Sequence, residues 1–140
     1  MKNSTNQSNL ALRLVFGLML AILLFSSSAH AQKPKSSTNT VQIVIDYNDG
    51  VEKHFTVIPW KAKMTVLDAM KHAEKHPRGV KLKYRGSGSI AFLTEIDGLK
   101  NTGSGKNWIF RVNGEKAEKS FGAAQLKSGD TVLWRFELYQ

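Results

Sequence analysis

The chain has 140 residues, with 20 lysines and arginines against 11 aspartates and glutamates, and it contains no cysteine. The missing cysteine excludes disulfides, thiolate metal sites and thiol nucleophiles together. The net charge of +9 favours solubility and anionic partners but says nothing about fold.

The first element is an export leader. A polar, mildly basic start with Lys2 precedes the apolar run Leu14 to Phe25, and "SSSAHA" ends in Ala29-His30-Ala31, the small-x-small form that a signal peptidase reads. Twelve apolar residues are too few to span a bilayer, which needs about 20, so cleavage near Ala31 is expected and no transmembrane helix should remain in the mature chain. Lys2 and Arg13 leave with the leader while every acidic residue follows it, so the mature chain keeps +7 of the +9. The product is exported, to a periplasm or to the medium. Residues 32–40, "QKPKSSTNT", carry no apolar side chain and read as a tether, leaving 41–140 as one domain.

Val41, Ile43 and Ile45 alternate with Gln42, Val44 and Asp46, then Asn48-Asp49-Gly50 supplies turn residues and "VEKHFTVI" resumes with strand formers. A hairpin is predicted, its second strand stopping near Ile58 because Pro59 has no N–H to donate. Thr65 and Asp68 have capping-box spacing, and Val66, Leu67, Met70 and Ala73 follow at helical spacing up to His76-Pro77. Val80, Leu82 and Tyr84 then alternate with Lys81, Lys83 and Arg85 as a strand, "RGSGS" breaks it, and "IAFLTEI" forms another that turns at Asp97-Gly98. "NTGSGKN" reads as a loop leading into "WIFRVNG", a strand closed by the turn pair Asn113-Gly114. Val132, Trp134, Phe136 and Leu138 alternate in a last strand introduced by Ser128-Gly129-Asp130. One helix after the first hairpin and strands elsewhere predict a two-layer α+β domain, a mostly antiparallel sheet packed on one α-helix.

Four constellations bear on function. Trp108, Phe110 and Val112 share one strand face; burial of such rings suits the core of a small domain, and the alternative places Trp108 at the sheet edge as a stacking platform. Asp68, His72 and His76 are four residues apart on the helix's outer face, a spacing that ligates metal but lies beside Lys71 and Lys75, so no metal is expected. "GSGK" at Gly103 to Lys106 lacks the earlier glycine, the hydroxyl residue and the following helix of a phosphate loop. Lys71, Lys75, Arg78, Lys81, Lys83 and Arg85 form a basic patch that would hold polyanions, or would simply guard a strand from edge pairing. No nucleophile with a base, and no carboxylate pair, stands at motif spacing, so a catalytic role is not expected.

"TVLDAMKHA", "EIDGL", "WIFRVNG" and "LKSGDTVLWRFE", in that order, resemble the transcobalamin C-terminal-like domain over about 41–138. The free-standing bacterial members of that family have no assigned function. The resemblance implies a β-grasp-like fold and a non-catalytic role, because in the animal cobalamin carriers this domain closes over a corrinoid held mainly by a separate helical domain. That helical domain has no counterpart here, so a cobalamin-like ligand is implied only in part. The motif positions Trp108, Asn113, Gly114, Asp97, Gly98, Gly129, Asp130 and Trp134 carry over, mostly as structural residues. The expectation is a monomeric binding module. It would take a small ligand or an envelope protein at glycine-rich loop edges, through Gly86, Gly88, Gly103, Gly105, Lys106, Trp108 and Asn113, with polyanion binding on the basic patch or sheet-edge pairing as alternatives.

Overall fold

The period-two pattern at the start of the domain folds as a strand pair, β1 (Thr40–Asp46) and β2 (Glu52–Pro59), with Val41, Ile43 and Ile45 fully buried on one face. The structure is a computed structural model and describes residues 39–139; the expected leader 1–31 and residues 32–38 of the tether lie outside the described residues. β2 runs through Pro59 rather than stopping at Ile58. The strand lies at the sheet edge, where a missing N–H costs no ladder bond, and Pro59 pairs with Thr40.

The helix α1 (Val66–Glu74) starts where the capping box places it: the Asp68 N–H donates to Thr65 Oγ1 and the Thr65 N–H to Asp68 Oδ2. Val66, Ala69, Met70 and Ala73 pack inward. After the helix the chain reverses tightly at Gly79, where a Cβ would stand 2.5 Å from the Ala73 carbonyl oxygen and 2.6 Å from that of Glu74, so only glycine fits.

Next come β3 (Leu82–Arg85), β4 (Phe92–Ile96) and β5 (Leu99–Lys100), which form one antiparallel sheet in the order β3-β4-β5. β3 begins two residues later than the alternation predicted. The register shift at Lys83/Tyr84 skips Thr94 on β4, and Tyr84, 38% exposed, keeps its ring edge to face against Phe121 at 5.8 Å. "RGSGS" does break the strand, and Gly88–Ile90 at its end winds into one short 3-10 turn.

The remaining strands are β6 (Lys106–Val112), β7 (Glu115–Lys116) and β8 (Thr131–Leu138), which join the first hairpin in a five-stranded sheet ordered β2-β1-β8-β6-β7. β8 is parallel to β1 and antiparallel to β6. Helix α1 packs on β1 and β2, and the whole is α+β and β-grasp-like, as expected. The stretch 117–130, unassigned by periodicity, contributes Phe121 and Leu126 to the core, 2% and 3% exposed. Among the described residues no helix is long and apolar enough to cross a membrane.

A polar knot ties the two sheets. Asp97 adopts a positive φ at the β4–β5 turn, and its carboxylate accepts from the Tyr47 hydroxyl, from Lys53 Nζ at 2.8 Å and from the Lys81 N–H at 2.7 Å. Burial raises the Asp97 pKa, but the Lys53 and Tyr47 donors and the Lys81 N–H outweigh it and hold the carboxyl below its ordinary range. Tyr47 is pushed upward, first by burial and then by its bond to Asp97.

Candidate functional site

The register between β6 and β8 stacks aromatic residues across the sheet. Trp108 faces Phe136 and Phe110 faces Trp134, with ring centroids 5.3 and 4.8 Å apart. Phe121 meets Trp134 edge to face at 5.6 Å. Trp108 is only 5% exposed, with its Nε1–H donating to the Leu99 carbonyl at 2.8 Å.

The two sheets part between Ala91–Leu93, at the start of β4, and Trp108–Phe110 of β6, which leaves a cleft of about 230 Å³. Trp108, Phe110, Phe121 and Trp134 wall it, Ser120 lies among them, and no carboxylate lines it. Phe92 is half exposed at its rim with the Arg85 guanidinium 5.1 Å from the ring centre. Lys116 and Tyr139 also line the cleft, the ammonium 3.7 Å from the centre of the Tyr139 ring.

The three indoles differ. Trp60 Nε1–H donates to the Leu126 carbonyl and Trp108 Nε1–H to that of Leu99. Trp134 is 2% exposed, and its Nε1 is the one buried side-chain nitrogen or oxygen among the described residues without a hydrogen-bond partner. An unmet buried donor costs about 1–3 kcal/mol.

The expected loop residues separate. Neither Gly86 nor Gly88 lines the cleft; the Gly88 carbonyl accepts from Ser120 Oγ at 3.1 Å, and Ala91 and Phe92 follow into the wall. Gly103 and Gly105 belong to a loop closed on itself, for Asn107 Nδ2 donates to both carbonyls and Thr102 Oγ1 donates to the Lys106 carbonyl. Lys106 sits on the other sheet face, in a depression with Arg111 and Arg135; there Arg111 pairs with Glu137 at 2.6 Å and Arg135 with Asp46 at 3.1 Å. Asn113 has a positive φ in the β6–β7 turn, and its side chain bridges the Asp130 carboxylate and the Thr131 N–H.

The basic residues are exposed but do not act alone. Lys83 pairs with Glu95 at 3.0 Å, Arg85 lies over Phe92, and Lys71, Lys75, Arg78 and Lys81 spread from the helix to the start of β3. Asp68 is committed to the helix cap, which lowers its pKa first through the Thr65 N–H. His72 and His76 line a groove with His54, yet His76 Nδ1 accepts from the Arg78 N–H and no group of three or more potential metal ligands gathers among the described residues.

Sequence reasoning read Trp134 and Phe110 as core and offered Trp108 as core or ligand platform, without seeing the cleft beside them. Its other wall comes from Phe121, in a stretch with no periodicity, and the strand register that brings the rings together cannot be read from spacing alone.

A model of the family described as "Domain of unknown function (DUF4430)" matches residues 64–138. No curated protein matches the chain. Among solved structures, a protein from Ruminococcus gnavus ATCC 29149, described as a candidate metal binding protein, aligns with a TM-score of 0.56 at 14% identity over 71% of this chain and 97% of its own. Haptocorrin in complex with Cbi aligns with a TM-score of 0.56 at 22% identity over 72% of this chain and 25% of its own, so the chain spans about a quarter of that protein. Both likenesses are of fold.

Proposed function

The chain belongs to the DUF4430 family, whose model covers more than half of it, and from that premise we propose that it is an exported, non-catalytic binding module that takes a small ligand in the cleft between β4 and β6. The observation that carries this reading is the cleft itself: four aromatic walls, a half-exposed Phe92 at the rim and an opening between two sheets rather than a closed core. Small-molecule sites are concave and mainly apolar and aromatic with few polar groups, and this lining is largely aromatic, with Ser120 and Lys116 among its few hydrophilic side chains. A cavity near 150 Å³ already admits benzene, so about 230 Å³ has room for a fused pair of rings. A cobalamin-like ligand would offer this cleft only an edge or a side group.

Export follows from the leader read in the sequence, and the non-catalytic role from the absence of a nucleophile–base pair among the cleft residues. The fold likeness to haptocorrin supports a binding role in the same direction. The test is a thermal-shift screen of the purified protein with a library of aromatic acids and amines, run in parallel on Ala117→Trp, which fills the cleft. Ligands that raise the melting temperature of the wild type and leave the filled variant unmoved support the reading. A library in which every stabilising compound acts equally on both proteins refutes it.

A further inference from the structure

The first hairpin presents an edge that the rest of the fold does not use, and we infer that it takes up an extended, acidic segment of another protein as an added strand. Among the described residues the two sheets end on four edge strands. β5 and β7 have two residues each and β3 has four, lengths that keep an edge from pairing, whereas β2 has eight. The hydrogen bond from the Tyr47 N–H to the Val51 carbonyl sets the alternation along β2, so the N–H and C=O of Glu52 and of His54 turn away from β1. Both residues are exposed. Farther along, Thr56 and Val57 stand together against Gln42 alone, and Pro59 has no N–H. That bulge and the proline confine pairing to the first half of the strand.

The groove beside this edge sets the chemistry of the segment. A depression of about 370 Å³ runs between residues 54–59 and the helix, with Phe55, Ile58 and Ala73 as an apolar floor and His72, His76 and Arg78 on its helix side. An added strand lays every second side chain over that floor. No carboxylate lines the groove. The acids of β2, of the helix and of the β4–β5 turn are engaged: Glu52 with His54 at 2.7 Å, Asp68 in the helix cap, Glu74 with the Leu82 N–H at 3.4 Å and Asp97 with Lys53 at 2.8 Å. Lys71 and Lys75 are exposed on the same helix. Side chains that turn inward from the segment therefore meet positive charge at the rim and apolar carbon beneath, which suits acidic and branched aliphatic residues at two-residue spacing. The groove shares no lining residue with the cleft, so the two sites are tested separately.

The probe is the acetylated and amidated peptide TETVTET, which reads the same in both directions and carries glutamate, valine and glutamate on one face. One comparator has lysine for glutamate; the other is methylated on its three central amide nitrogens, which removes donors and keeps the side chains. In titrations of the 15N-labelled protein, the Glu52 and His54 amide resonances should move downfield and their exchange with solvent should slow. The lysine peptide should bind at least about tenfold more weakly, and the methylated one should not bind. Arg78→Glu should remove the preference for glutamate, and His54→Pro, which deletes one outward N–H at an edge position, should weaken binding of every peptide. The wild-type comparison decides the matter even where a variant folds poorly. Equal binding of the methylated peptide overturns strand addition, and equal affinity for glutamate and lysine overturns the acidic class. No shift on β2 at millimolar peptide overturns both. A free protein that sediments as a dimer with these two amides already protected assigns the edge to a second copy and overturns the inference as well.

Discussion

Asp97→Asn isolates the charge at the knot between the two sheets. Asparagine keeps the size, an acceptor oxygen and tolerance of the positive φ that residue 97 adopts, but it removes the negative charge facing Lys53. Charge-assisted hydrogen bonds contribute about 1.5–3 kcal/mol each when shielded. The Lys53 and Asp97 side chains are 37% and 21% exposed, so solvent screening places the loss for the pair at about 1–2 kcal/mol. For a domain of this size that is a fall in melting temperature of about 5–15 °C.

The folded-state pKa of Asp97 is depressed, so its contribution is complete above the ordinary carboxylate value of 3.8 and is lost as the pH falls through the lower native value. Thermal unfolding followed by tryptophan fluorescence at about pH 7 and at about pH 2 should show a gap between wild type and variant that narrows in acid. A variant as stable as the wild type at neutral pH, or a gap unchanged in acid, refutes the assignment of the knot to that charge.

Other substitutions separate the packing roles. Thr65→Ala removes the helix N-cap and should cost about 1 kcal/mol in urea unfolding, with the helical circular dichroism signal reduced. Gly79→Ala drives a methyl group into backbone oxygens and should cost about 1–3 kcal/mol in the same assay. Trp108→Ala should cost about 3–5 kcal/mol, because the ring is buried and its N–H holds the Leu99 carbonyl. Trp134→Phe should cost less than about 1.5 kcal/mol, since the lost indole N–H has no partner to leave behind; a loss as large as that of Trp108→Ala would contradict the unmet donor.

Local signals made much of the fold legible. The capping box at Thr65 and Asp68 set the helix start, and the turn pairs Asp97-Gly98 and Asn113-Gly114 adopt the positive φ values their chemistry allows. Alternation placed Val41, Ile43, Ile45, Val132 and Trp134 inward. It left Tyr84 partly exposed beside Phe121, and the second strand was expected to stop before Pro59, where an edge position removes the usual objection to proline. The cleft was not legible. Its walls come from β4, β6, β8 and the irregular stretch around Phe121, and only long-range pairing such as Phe110 with Trp134 assembles them. The same holds for the knot, whose partners Tyr47, Lys53 and Asp97 are up to 50 residues apart in sequence.

The most direct measurement is chemical-shift mapping of the 15N-labelled protein titrated with an aromatic acid that raises its melting temperature. The cleft account predicts that the largest changes fall on Ala91–Leu93, Trp108–Phe110, Ala117–Phe121 and the Trp134 indole, and that they persist in moderate salt. Largest changes on the helix residues Lys71–Arg78 or on the loop Gly103–Asn107, or changes that vanish with added salt, would contradict it.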